Sequence, residues 1–294
     1  MNVGSVAADA SRRPINFSVR PPARTLTVIA LIALCRLATA VADSTPDYSR
    51  ASVEQLVDAL VDVDAQTIGL HSTLLVSAFI ADDSPDKIDG GVFGSVAPKR
   101  FPQMIELVRR GVNSLPVLID HLDDKRPTKV VVGNGIFTFK YFGDEYDPRI
   151  RPDGQRGATT LAHYADRLEE LKAEEARAFQ GEYTVRVGDV CYLLIGQIVD
   201  RSLIAVRYQP SAILVVNSPI EVPALIAAVK RDWGAISSSE LMSSLLADAQ
   251  TSDNLRIYGP ALQRLRFYYP SEYRRQSEGD LGGKISAFEA EQRK

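Results

Sequence analysis

Hydrophobic residues recur at the spacing of an α-helix in several stretches of the chain. In Ser52–Val63 the apolar positions step alternately by three residues and by one, which places them on one face of a helix. Ser52 and Gln55 match a capping box at the start of that helix. A second apolar stretch, Ile68–Ile80, follows closely. The pattern predicts two helices that pack against each other.

A second pair of predicted helices lies on either side of Gly111. Pro102 suits the first position of the first helix, where its missing N–H costs nothing, and Gly111 suits the left-handed residue after its end. Pro116 falls just inside the second helix, whose apolar positions continue to Leu122. The connection is short, so we expect an antiparallel pair. Each helix leaves one side for further elements to cover, as in a stack of helix hairpins.

Two segments resemble helices of HEAT-type repeats, and together they cover 27 of the 294 residues. The first, Leu115–Pro127, ends in a short acidic turn and an arginine, Arg126, as such repeats do before the next helix. The second, Val185–Ile198, opens with Val-Arg and closes on a glycine and an isoleucine. It departs from the repeat by carrying Gly188 and Asp189 where alanine is usual.

The resemblance implies a mainly α fold of stacked antiparallel helix hairpins, an α-solenoid. HEAT-type proteins are scaffolds, so the resemblance also implies binding rather than catalysis. The two segments are about 60 residues apart, which indicates an insertion between them at residues 129–181.

The insertion begins with the pattern of a small β-hairpin. Two apolar runs, Val130–Val132 and Ile136–Phe142, flank the turn sequence Gly133-Asn134-Gly135. The stretch Asp144–Gly157 is charged and contains proline, which predicts an exposed loop. Thr159–Gln180 then has the pattern of a helix.

Three more helices are predicted towards the C-terminus. Ser218–Glu221 and Ser237–Glu240 match capping boxes for helices that end near Trp233 and near Gln250. Gly259-Pro260 favours the start of the last helix.

The first 42 residues have the pattern of an export signal. Arginines precede the apolar run Thr25–Leu34, which is too short to span a bilayer comfortably, and small residues favour cleavage after Ala42. Residues 43–273 would then form a single helical domain, and residues 274–294 a charged, disordered tail. We therefore expect an exported protein, periplasmic or extracellular.

Net charge limits the classes of partner that the chain can bind, and cysteine content limits how its fold can be stabilised. Removal of residues 1–42 leaves 29 Lys and Arg against 36 Asp and Glu, a net charge of −7. Such an acidic chain disfavours nucleic acid and anionic lipid, so no membrane contact is expected after cleavage. Cys191 is the single cysteine left, which excludes an intramolecular disulfide, and a buried core has to stabilise the fold.

Asp189 interrupts the predicted helix Tyr183–Arg201, which is nearly all apolar and is therefore expected at the centre of the fold. A buried carboxylate needs a partner. Arg186 precedes Asp189 by three residues, and Arg207 lies in the next segment. We predict a structural ion pair between Asp189 and these arginines, with a functional pocket at Asp189 as the alternative.

Two acidic loops are candidates for chemistry, although a solvated loop is the simpler interpretation of each. One could bind Ca²⁺ through oxygen ligands, but it lacks the spacing of an EF-hand. Its residues are Asp82, Asp83, Asp86, Asp89 and Gly90. The other could hold a metal or a catalytic carboxylate pair. Its residues are Asp144, Glu145, Asp147 and Asp153.

The remaining candidates favour structural roles. His71 is a lone histidine at the start of the apolar stretch Ile68–Ile80, where a hydrogen-bonded structural role is more common than metal binding. His163 has no His, Asp or Glu four residues later at metal-site spacing. Cys191 lies in the middle of an apolar helix, where a thiol is inert.

The sequence contains no phosphate-binding glycine loop, zinc-protease helix or nucleophile elbow. We therefore assign no catalytic residue, cofactor or metal, and we do not expect catalysis. The sequence favours an exported helical scaffold that binds a protein or peptide. Two alternatives stay open: a hydrolase or carbohydrate-active enzyme built on a carboxylate pair, and a calcium-stabilised structural module.

Overall fold

The computed structural model describes residues 47–64, 79–82, 101–133, 139–147, 178–209 and 213–293, all within the compact unit Asp47–Lys294. Several predicted features lie outside the described residues. They are the export signal 1–42, most of Ile68–Ile80, most of Thr159–Gln180, His71, His163, Asp83, Asp86, Asp89, Gly90 and Asp153.

Helices account for most of the described residues, which confirms the prediction of a mainly α fold. They are α1 Val53–Asp58, α2 Pro102–Arg109, α3 Leu115–Asp120, α4 Val187–Val199, α5 Pro223–Trp233, α6 Ser238–Thr251, α7 Leu255–Tyr268, α8 Pro270–Ser277 and α9 Gly282–Gln292. Single 3-10 turns lie at Tyr48–Arg50, Ala59–Asp62 and Gly111–Ser114. None of these helices combines the length and the apolar character needed to cross a membrane.

Short strands form two small sheets in the described part of the chain. They are β1 Pro127–Val132, β2 Phe139–Phe142, β3 Tyr183–Arg186, β4 Val206–Gln209 and β5 Ile213–Val216. In one sheet β1 pairs antiparallel with β3. In the other, β5 lies between β2 and β4, parallel to β2 and antiparallel to β4.

The predicted β-hairpin in residues 129–181 is wrong. The two apolar runs around Gly133 belong to different sheets, and each pairs with a strand from outside that range. Pairing with β3 buries Val130 and Val132 in the core, at 3% and 0% exposure. This burial favours the distant partner over the local turn.

Helix α4 is the centre of the core. Every residue of Val187–Val199 is buried, and α2, α3 and β3 contact it. The apolar sequence predicted this central position correctly. It missed the start of the helix, because Tyr183–Arg186 extend as β3 before α4 begins.

Buried charge pairs hold the turn that follows α4. Asp200 ends the helix with a left-handed backbone, at a φ of 55°. Its carboxylate lies 2.9 Å from the guanidinium of Arg264 in α7. Arg201 pairs with Asp248 in α6, and both guanidinium groups lie over aromatic rings. These contacts tie the C-terminal helices to α4.

Local helix signals are confirmed at most of the positions that they predicted. Ser52 with Gln55, and Ser237 with Glu240, form capping boxes, and Gly111 has the expected left-handed backbone. The box at Ser218–Glu221 is wrong. Those residues form a turn and α5 begins at Pro223, because the Ser218 side chain is buried and bonded to the hydroxyl of Tyr183.

The structure also corrects the start of α7. This helix begins at Leu255, one turn before Gly259-Pro260. Pro260 therefore lies inside the helix, in its second turn, where it removes one backbone hydrogen bond.

Residues 274–293 form helices where a disordered tail was predicted. They contain the end of α8 and all of α9. Leu281, Ile285 and Phe288 are 2–3% exposed, and α9 packs on α7 and α8. Their spacing of four and three residues is helical, a stripe that the charged composition hides.

Candidate functional site at the carboxyl ends of β2 and β5

The parallel pair β2 and β5 brings polar residues together at one edge of the sheet. The two strands end in register at Phe142 and Val216. Asp144 and Glu145 follow the first, and Asn217 and Ser218 follow the second. In sheets with parallel strands, ligands commonly bind beyond the carboxyl ends. We therefore treat this edge as the candidate site.

Asn217 joins the two strand ends. It is 1% exposed. Its Oδ1 accepts a 3.1 Å hydrogen bond from the backbone N–H of Glu145. Its Nδ2 donates to the carbonyl of Ile204 at 2.8 Å and to Glu145 Oε2 at 3.3 Å. The loop after β2 is thus fixed to the segment after β5.

Glu145 forms a two-pronged ion pair with Arg207 of β4. Arg207 Nε donates to Oε2 at 2.9 Å, and Nη2 donates to Oε1. The hydrogen bond from Arg207 to Glu145 raises the pKa of the guanidinium. The hydroxyl of Tyr192 in α4 also donates to the carbonyl of Glu145, at 3.0 Å. Glu145 is therefore held by contacts from two elements.

Asp189 lies in the first turn of α4 and is connected through the Tyr183 hydroxyl to Ser218, which follows β5. It is 1% exposed, and its Oδ2 accepts 2.8 Å hydrogen bonds from the Tyr183 hydroxyl and the Arg186 backbone N–H. Its Oδ1 is buried and has no hydrogen-bond partner among the described residues. The Tyr183 hydroxyl also lies 3.0 Å from Ser218 Oγ.

Burial raises the pKa of Asp189, because a carboxylate is poorly solvated in the core. The hydroxyl of Ser218 and the backbone N–H of Arg186 favour the charged form and offset part of this rise. Burial also raises the pKa of Tyr183, and the charge of Asp189 raises it further.

The predicted ion pair of Asp189 with Arg186 and Arg207 is not what the structure shows. Arg186 contributes its backbone N–H, while its guanidinium pairs with Glu221 at 2.8 Å. Arg207 pairs with Glu145. Asp189 is instead the third residue of α4 and bonds back to the residue before the helix, as the acidic member of a capping box does. Its position three residues after Arg186 is the sequence signal for this role.

A second charged network joins α1 to the turn between α3 and β1. Arg126 donates to Asp124 and to Asp58, with Nη–O distances of 2.6 and 2.7 Å. His121 Nδ1 lies 3.0 Å from Asp124. Burial acts to raise the pKa of Asp124, but hydrogen bonds from Arg126 and His121 outweigh it and lower the value to about 2.

The remaining candidate residues that the structure describes make structural contacts. Asp147 is 6% exposed and accepts from the Ser202 N–H at 2.8 Å. Asp82 accepts 3.0 Å bonds from Gln263 and Arg266 of α7. Cys191 is fully buried, which raises the pKa of its thiol. Within the described ranges, no group of three metal-ligating side chains is close enough to hold an ion.

The fold and its site define a mainly helical protein with a small mixed sheet, in which polar groups gather at the carboxyl ends of two parallel strands. Comparison of the chain with protein-family models, curated proteins and solved structures finds no match in any of the three.

Proposed function

We propose that the protein is an exported helical scaffold that binds a protein or peptide partner. The proposal rests on the contacts that the candidate side chains make. Glu145, Asp147 and Asp189 all bond to neighbouring strands, loops or helix ends. An acid–base catalyst needs a group that can exchange a proton with a substrate. Asp147 and Asp189 are buried, and Glu145 is held in an ion pair with Arg207.

Contact between the two HEAT-like segments supports stacked helix hairpins as the underlying architecture. The backbone N–H groups of Val187 and Gly188 donate to the carbonyls of Arg126 and Asp124, at 2.9 and 3.1 Å. The end of the first segment thus docks on the start of the second. Neighbouring repeats in a solenoid make contacts of this kind.

A protein or peptide suits the charge of the chain better than nucleic acid or anionic lipid does. The residues after position 42 carry a net charge of −7, which repels polyanions. Export follows in this proposal from the basic leader and the apolar run at Thr25–Leu34.

Chemical crosslinking followed by affinity capture from the exported fraction tests the proposal. We expect one protein to be recovered reproducibly with the tagged chain, and in smaller amount when untagged chain is added as competitor. Recovery of no reproducible, competed partner would contradict a scaffold function.

A carboxylate-based hydrolase is the second candidate, and one feature favours it. A buried carboxyl with a raised pKa, Asp189, connects through Tyr183 to Ser218. Next to Ser218 in the chain, Asn217 bonds to the loop that carries the half-exposed carboxylate Glu145. Such unequal pairs occur in glycosidases. Hydrolysis of a glycoside or ester panel by the wild type, lost in both Glu145→Gln and Asp189→Asn, would favour this candidate over the scaffold.

A further inference from the structure

Asp189, Tyr183 and Ser218 form a buried chain of hydrogen-bonding groups. Their residues are 1%, 5% and 0% exposed. The Tyr183 hydroxyl lies 2.8 Å from Asp189 Oδ2 and 3.0 Å from Ser218 Oγ. A tyrosine hydroxyl has one hydrogen, so it donates to one of these neighbours and accepts from the other.

The charge of Asp189 decides which arrangement is favourable. A charged carboxylate only accepts, so Tyr183 donates to Asp189 and accepts from Ser218. A protonated carboxyl donates to Tyr183, and Tyr183 then donates to Ser218. One proton from solvent forms an O–H bond on Asp189. The Tyr183 and Ser218 hydroxyls then rotate, so that both hydrogen bonds reverse direction, and no other covalent bond forms or breaks.

The charged side chains near Asp189 form ion pairs with one another and not with Asp189. On the β3 side, Arg186 pairs with Glu221, which follows β5. On the α3 side, Arg126 pairs with Asp124, whose backbone carbonyl accepts from the first turn of α4. Asp189 has no ion pair of its own among the described residues.

We propose that Asp189, Tyr183 and Ser218 form a proton-controlled latch that holds the first turn of α4 against β3 and the segment after β5. Protonation of Asp189 removes a buried charge and thereby favours the folded state, with the latch closed, over the unfolded chain. This inference goes beyond the proposed function, because it applies to the chain without any partner.

The sign of the effect follows from the direction of the pKa shift. The pKa of Asp189 is raised in the folded state by burial, so the folded protein binds a proton where the unfolded chain has lost it. The contribution of protonated Asp189 is therefore fully present below the unfolded pKa of about 3.9 and is lost as the pH rises through the folded pKa.

Denaturant unfolding of the full chain between pH 4 and pH 8 tests the latch. We compare wild type with Asp189→Asn, which keeps an acceptor oxygen and cannot titrate. The folded-to-unfolded ratio of wild type relative to this variant should increase as the pH falls, by up to about tenfold per pH unit. Asp123→Asn, at an exposed position, is the matched control and should lack that increase. A relative ratio that stays constant or falls on acidification would overturn the proposal.

A second measurement keeps the proposal testable if Asp189→Asn does not fold. Carbon-13 NMR of the wild type, labelled at aspartate carboxyls, should show one carboxyl that titrates above all others. Tyr183→Phe should move that midpoint higher, since it removes a donor to the charged form. A titration in which no carboxyl lies above the others, or in which Tyr183→Phe lowers the midpoint, would contradict the latch.

Discussion

Two unusual residues of the predicted apolar helix, Gly188 and Asp189, each have a local structural reason. A Cβ added at Gly188 would lie 2.4 Å from the carbonyl oxygen of Leu122. The close approach lets the Gly188 N–H reach the carbonyl of Asp124. Asp189 in turn bonds to the Arg186 N–H. Both residues were visible in the sequence, but the reason for Gly188 was not, because it lies in contacts with a distant segment.

Gly188→Ala should destabilise the fold by about 1 to 3 kcal/mol, since the new methyl group collides with backbone that cannot move aside. Gly283→Ala in α9 is the control. A Cβ there meets nothing within 4 Å, so we expect it to be neutral or to stabilise by up to about 1 kcal/mol. Denaturant unfolding of both variants measures the difference. Equal stability of the two would show that α4 does not approach Leu122 as described.

The loss of stability caused by Asp124→Asn should change with pH in the opposite direction to the loss caused by Asp189→Asn. Asp124 has a folded pKa of about 2, so its contribution is present above the unfolded value of about 3.9 and is lost as the pH falls towards 2. We expect the variant to be about 1 to 2 kcal/mol less stable at pH 7, with allowance for partial solvent screening. Unfolding curves at pH 7 and near pH 3 check this. A deficit that is equal at both values would show that the charge of Asp124 is not its cause.

At the scale of elements, helices with one apolar face could be predicted from the sequence, and strand partners could not. The capping box at Ser52 and the central position of α4 follow from local patterns. Strand β1 pairs with β3 instead of forming the hairpin that Gly133-Asn134-Gly135 suggests. The site at the ends of β2 and β5 was missed for the same reason, because it exists only once two distant strands pair.

The packing of helix α9 on its neighbours can be tested by substitution. Phe288→Ala should cost about 3 to 5 kcal/mol, because its ring is 3% exposed and packs within the C-terminal helices. Ser286→Ala, on the exposed side of the same helix, should stay within about 0.5 kcal/mol of wild type. Thermal or denaturant unfolding gives both values. If Phe288→Ala were as stable as Ser286→Ala, the packing of α9 would be contradicted and the disordered tail predicted from the sequence would be supported.

At the scale of the whole molecule, the described part of the chain uses its charged residues mainly to join elements. Arg126 links α1 to the turn after α3, Arg264 links α7 to the end of α4, and Arg207 links β4 to the loop after β2. A mainly α fold was predictable from periodicity alone. The network was not, since each pair joins residues far apart in the sequence. In each of these pairs the charged side chains bind one another across two elements.

Site-specific photo-crosslinking in the exported fraction tests the scaffold function most directly. A photoreactive residue replaces, one at a time, the exposed apolar side chains Val131, Phe139 and Ile257, which are 36–41% exposed, with exposed Ser286 as the control position. A binding scaffold should give, from at least one apolar position, a discrete adduct with the same protein or peptide in every preparation, while Ser286 gives none. Adducts absent from all three positions, or equal to those at Ser286, would contradict the scaffold function.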